Sequence, residues 1–253
     1  MRVWVVALGV GVLAAGCGSQ TAAPSKMKES AAPMSVKAAC APGSLERLGN
    51  GRFTYAAVAK HALPAYRSPR GKIAYRFGRR NANRFPTVFA VLEARLTKSC
   101  RRMWLRVRLP AKPNGATGWV RASAVDLVRI TTRIDVDLSA RRVVLYVRGR
   151  RRLATTAAVG APGTPTPRGH YYVNQRLIPT DTSGPFGPGA IGISAFSDVL
   201  TGWTQGGPIA IHGTDEPWLL GRSVSHGCIR VRNAVLRRLF RLVPAGTPVS
   251  VHA

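Results

Sequence analysis

Acidic side chains are scarce in this sequence. Asp and Glu number 10 against 38 Lys and Arg in 253 residues, which leaves a formal charge of +28. Such a surface attracts anions, with a strength that salt reduces. The arginine bias of a GC-rich genome gives the same composition, and both explanations stay open. Signals for nucleic acid are missing as well: there is no basic helix, zinc finger or RNA-binding aromatic motif, and the arginines are dispersed, so no nucleic-acid partner is expected. The apolar run VWVVALGVGVLAA at residues 3–15 is too short to span a bilayer comfortably; behind Arg2 and before small residues it reads as a secretion signal. Metal-ligand spacing is poor. His212, His226 and Cys228, with Asp215 or Glu216, offer zinc-type donors, but a single residue separates His226 from Cys228, whereas compact zinc sites space their ligands more widely. No metal and no organic cofactor is expected.

What the sequence does carry is concentrated in HGTDEPWLLGRSVSHGCIRVRN, from His212 to Asn233. A cysteine attacks a carbonyl as its thiolate, and a thiol with pKa near ~8.5 is mostly protonated at neutral pH. A base must take that proton, and His212 is the candidate. The residues before it, Pro208 to Ile211, read as a short buried strand ending in a turn at Gly213. Gly227 permits close backbone approach, so the amides of Gly227 and Cys228 can face a developing oxyanion. Each residue also has a plainer use: cysteine as a small buried hydrophobe, histidine as a satisfied structural or surface group. Both together, each beside a glycine, favour catalysis.

The His212-Gly213 pair followed by Ser225-His226-Gly227-Cys228-Ile229-Arg230 resembles the signature of L,D-transpeptidases with the YkuD catalytic domain. The resemblance covers residues 131–252, about half of the chain. It implies that Cys228 is the acyl-accepting nucleophile, that His212 accepts and donates the proton, and that the backbone carbonyl of Gly213 orients the imidazole. Ser225, His226 and Gly227 would shape the oxyanion and substrate pocket, with Arg230 against the substrate or the loop. The implied substrate is the peptidoglycan stem peptide, passed through a thioester to a neighbouring stem as a 3→3 crosslink. Water as acceptor makes the enzyme an L,D-carboxypeptidase, and a protein amine makes it a protein-to-wall transferase. A non-catalytic wall-binding protein of the same fold is the alternative class.

The rest of the chain reads as delivery and support. Ala14-Ala15-Gly16-Cys17 resembles a lipobox, with Ala14 where leucine is usual. Lipidation at Cys17 would anchor the exported chain at the outer face of the cytoplasmic membrane; ordinary signal cleavage is the alternative. Residues 18–39 are small, polar and proline-punctuated, a flexible tether. With Cys17 assigned to lipid and Cys228 to chemistry, an oxidising compartment favours a Cys40–Cys100 disulfide, which would stabilise by ~4 kcal/mol across its loop. Residues 40–128 hold five short alternating runs, from His61 to Ala124, that suggest a small barrel. Their end, from Trp104 to Trp119-Val120, resembles bacterial SH3-like domains. Residues 129–253 open on a hairpin of Ile134, Val136 and Leu138 against Val143, Leu145 and Val147. Asn233 is placed to cap a helix carrying Leu236, Leu239 and Val243. The expected fold class is mainly β: a small SH3-like barrel, then a YkuD-type β-sandwich with a short helix after the nucleophile.

Overall fold

The computed structural model describes residues 40–202 and 204–253. The expected secretion signal, Cys17 and the 18–39 tether lie outside them. The first sheet comprises β1 (Leu45–Arg47), β2 (Thr54–Ala59), β3 (Leu63–Tyr66), β4 (Ile73–Phe77), β5 (Val88–Leu96), β6 (Arg102–Arg108), β7 (Thr117–Arg121) and β8 (Val125–Ile130). They lie in the order β4-β3-β7-β6-β5-β2-β8, with β1 beside β5. The sheet curls on itself: Phe77 of β4 meets Phe89 of β5 edge to face at 5.1 Å, although three strands separate β4 from β5 in the hydrogen-bonded order. One core fills the curl, with Phe89, Leu105 and Val120 fully buried. A disulfide joins Cys40 to Cys100. The sequence pattern gives five strands here and the structure eight. β1, β2 and β8 are additional, and the chain changes sheets at Thr131, beyond the expected boundary at 128–129.

The second sheet comprises β9 (Thr132–Asp137), β10 (Arg142–Val147), β11 (Arg150–Thr156), β13 (Gly169–Leu177), β14 (Ala190–Phe196), β15 (Pro208–His212), β17 (Ile229–Arg230) and β18 (Pro248–His252). A separate parallel pair is formed by β12 (Val159–Gly160) and β16 (Ser223–Ser225). In β9, TRIDVD, Thr132, Ile134 and Val136 are buried while Arg133, Asp135 and Asp137 turn outward, the period of two that its sequence shows. Strand order is β11-β10-β9-β18-β13-β14-β15-β17. The long β13 pairs with β18 through residues 169–172 and with β14 through residues 173–177, so one strand serves both layers of a β-sandwich. A single core, including Ile134, Leu145, Ile191, Ile211 and Val249, lies between the layers.

The helix α1 (Asn233–Leu242) follows β17 and presses Leu236 and Leu239 into that core while Arg237 and Arg238 face solvent. Its N-cap position is Arg232, which makes no side-chain cap. This corrects the expectation that Asn233 caps the helix; its side chain is engaged elsewhere. The two sheets pack as one unit. The buried Tyr172 hydroxyl donates to the Val88 carbonyl at 2.9 Å, and Asn114 both donates to the Phe196 carbonyl (2.7 Å) and accepts its N–H (2.9 Å). At Gly246 a Cβ would lie 2.3 Å from that of Ala56, so the seam there tolerates only glycine.

Candidate active site

The site is built on two parallel strands. His212 is the last residue of β15 and lies opposite Arg230 of β17. Cys228 lies two residues before Arg230, just ahead of β17. Register therefore sets His212 beside Arg230, with Cys228 directly ahead of the strand that carries Arg230. Cys228 is a free, partly exposed thiol and His212 is buried at 4% exposure.

The imidazole is held by its own chain. His212 Nδ1 lies 2.6 Å from the Gly213 carbonyl oxygen, which can only accept, so Nδ1 carries the proton and Nε2 keeps its lone pair. Phe186 covers the ring at 4.9 Å between centroids. Burial holds the imidazole down to about 4; the Gly213 hydrogen bond opposes this and the Arg230 charge adds to it. Burial raises the Cys228 thiol, while the Ala210 backbone and Arg230 pull it back. At neutral pH both groups therefore rest uncharged.

The nucleophile loop is tied from inside. Ser225 Oγ donates to the Cys228 carbonyl at 2.5 Å and accepts the Gly227 N–H at 3.2 Å. This corrects the expectation that the Gly227 amide faces the oxyanion. The Cys228 N–H forms no backbone hydrogen bond among the described residues. Gly227 adopts φ +107°, where a side chain would also press on Ile209, so glycine is required. From the neighbouring loop Thr164 donates to the Ser225 carbonyl at 3.0 Å. Arg230 pairs with Glu216 at 2.7 Å, which ties the strand after the nucleophile to the loop after the base. His226 is exposed. No three His, Cys, Asp or Glu side chains gather as a metal centre among the described residues.

Several contributors carry no motif. Asn233 Oδ1 accepts the Thr214 N–H at 2.8 Å, and a Cβ on Gly213 would collide with the same oxygen. Cys228 opens into a cavity of 520 Å³ lined also by Phe186, Gln175, Gln205 and Asn83. Asn83 belongs to the first sheet's half. It donates to Gln175 Oε1 at 3.0 Å, and Gln205 Nε2 donates to its Oδ1, also at 3.0 Å. Asn81 adds a second donor to Gln175 at 2.8 Å. Sequence offered no signal for this carboxamide bank beyond the asparagines themselves.

The family model described as the L,D-transpeptidase catalytic domain, YkuD, matches residues 131–251. The chain is 36% identical over 122 residues to the L,D-transpeptidase-family protein YkuD of Bacillus licheniformis, covering 48% of this chain and 66% of that one. It is 32% identical over 127 residues to its Bacillus subtilis counterpart, covering 50% and 70%. Among solved structures it is similar to the catalytic domain of the E. faecium L,D-transpeptidase, with 28% identity, a TM-score of 0.36, and coverage of 48% of this chain and 96% of that one.

Proposed function

Because the chain belongs to the L,D-transpeptidase family that carries the YkuD catalytic domain, we propose that it is a cysteine acyltransferase acting on peptidoglycan stem peptides. The observation that supports this reading most is the β15–β17 register, which lays His212, its Nδ1 held by the Gly213 carbonyl, against the short strand that directly follows Cys228. Cys228 Sγ bonds to the stem carbonyl that carries the terminal D-alanine and its proton passes to His212 Nε2. The Cys228 N–H faces the oxyanion. Collapse breaks the C–N bond, His212 returns the proton to the departing D-alanine amine, and a thioester remains. An amine of a neighbouring stem then displaces the sulfur, giving the 3→3 crosslink and restoring the thiol. Water in place of that amine gives carboxypeptidase activity, and a protein amine gives attachment to the wall.

We further assign the first half to an SH3-like module and the N-terminus to a lipidated Cys17 at the outer face of the cytoplasmic membrane. Mass spectrometry of the native N-terminus tests the anchor; an unmodified terminus elsewhere leaves export alone. For the chemistry, incubation with disaccharide tetrapeptides should release D-alanine and form dimers. Cys228→Ala abolishes both, and His212→Ala lowers turnover by about 100- to 10,000-fold. Carbapenems, as the family resemblance implies, acylate wild type and not Cys228→Ala by intact mass. Activity retained in Cys228→Ala overturns the assignment.

A further inference from the structure

A second cavity, of 860 Å³, opens where three turns from both halves converge: the turn before β2, the β8–β9 crossing and the β10–β11 hairpin. Its walls carry Arg52, Arg129, Arg148 and Arg150, and no Asp or Glu. All four arginines are exposed, and none forms an ion pair among the described residues. The turns touch one another. The Arg148 N–H donates to the Thr131 carbonyl at 2.7 Å, and the Arg52 side chain lies over Gly149, 3.6 Å from where a Cβ would stand. Arg129 is parked over the Phe53 ring at 4.1 Å, which fixes its guanidinium in place. Gly51, Arg52, Thr131 and Gly149 also border a smaller recess of 110 Å³ whose walls include Phe53 and Tyr146.

Positive charge on an edge strand is commonly a guard against edge pairing, and β11 and β8 are edge strands. That accounts for Arg129 and Arg150. It does not account for Arg52 and Arg148, which sit in turns, nor for the convergence of all four on one recess without a counter-charge. Arg148 also holds φ +52°, a left-handed position that asparagine or glycine fills more cheaply. Like charges so placed repel and gather small anions, and a chain of linked anions that displaces those counterions gains their release entropy.

We infer that this recess, at the sheet edge opposite the one that carries β17, binds a linear phosphodiester polymer with polyol or sugar units. Guanidinium forks match phosphate oxygens. The recess beside them, where Arg129 and Arg133 stack on the rings of Phe53 and Tyr146, adjoins the path of the polyol or sugar units. A bilayer is too flat to enter a recess between two sheets, whereas a flexible chain threads it. The site holds the enzyme on an anionic polymer while Cys228 faces elsewhere.

The test is titration of the full chain with a purified glycerol-phosphate polymer over a range of salt. Wild type binds, and Arg52→Glu/Arg150→Glu weakens binding about tenfold or more and lowers the log–log salt slope by about two. Arg237→Glu/Arg238→Glu on the exposed face of α1 makes the same change in net charge and costs less than about threefold. Equal losses in the two double variants overturn the site and leave net charge as the cause. Absence of polymer binding, stronger binding to phosphatidylglycerol vesicles, or equal binding to poly-L-glutamate overturns it too. Arg52→Gln/Arg150→Gln, which removes the charge without reversing it, weakens binding in the same direction. None of these readouts involves Cys228, so failure here leaves the acyl-transfer reading standing.

Discussion

Asn233 accepts a 2.8 Å hydrogen bond from the Thr214 amide, and this ties the first turn of α1 to the residue two places after the base. The side chain that in isolation would cap its helix instead holds the His212-Gly213-Thr214 corner. Gly213 makes room for it, because a Cβ there would overlap Asn233 Oδ1. The helix is thereby tied to the residue two places after His212.

Asn233→Ala should therefore act on chemistry more than on stability. Loss of one such bond costs about 1 to 2 kcal/mol of stability, whereas a small displacement of the imidazole can cost up to about 100-fold in acylation. Asn233→Asp keeps an acceptor at the same place and should recover most of the rate. Stopped-flow acylation of Cys228 together with thermal unfolding separates the two effects. A loss of stability with an unchanged acylation rate counts against the positioning role.

The buried imidazole sets an unusual acid limb. His212 titrates near 6.5 unfolded and about 4 folded. Between these values the unfolded chain binds a proton that the folded chain refuses, so stability falls as pH drops from 6.5 to 4, by about 3 kcal/mol in all from this group. His212→Gln should flatten that part of the profile in urea unfolding at pH 7 and pH 5. The acid limb of kcat/KM should fall near 4 in wild type. A limb near 6.5 means that water reaches the ring.

Much of the site was legible because its chemistry is local. The apolar run before His212, the glycines at 213 and 227, and the Ser225-His226-Gly227-Cys228 sequence all lie within a short stretch, and the β9–β10 hairpin shows clean alternation. Other parts were hidden for physical reasons. In β2, TYAAVA, small alanines blur the period of two. Asn233 stands where a cap is expected, and only the fold brings Thr214 to compete for its oxygen. Asn83 and Gln175 are 92 residues apart, and no local pattern announces a contact between two sheets.

The Cys40–Cys100 bond closes a separation of 60 residues at the start of the first half. Removing it as Cys40→Ala/Cys100→Ala should lower stability by up to ~4 kcal/mol in the chain-entropy view, since the cross-link restricts the unfolded chain. Acyl transfer at permissive temperature should survive, because Cys228 does not take part. Thiol counting on the folded wild type, in a form that lacks residues 1–39, should find Cys228 as the single free thiol. A mixed bridge to Cys228 in active protein contradicts the assignment of the nucleophile.

The carboxamide bank makes a role of the first half in peptide binding testable. Asn83 lines the Cys228 cavity and is bonded to Gln175 and Gln205, whereas Asn81 bonds to Gln175 without lining that cavity. Asn83→Leu removes a polar group from the wall of the Cys228 cavity, yet leaves Cys228, His212 and the second donor to Gln175 in place. One hydrogen bond to substrate is worth about 0.5 to 1.5 kcal/mol, so KM for a tetrapeptide stem should rise about three- to tenfold while kcat stays within about twofold. Asn81→Leu breaks a bond between the halves of similar length and should leave KM unchanged. Equal rises in both variants would mean that the bank merely joins the two sheets, and a fall in kcat for Asn83→Leu would mean that it reaches the reacting atoms.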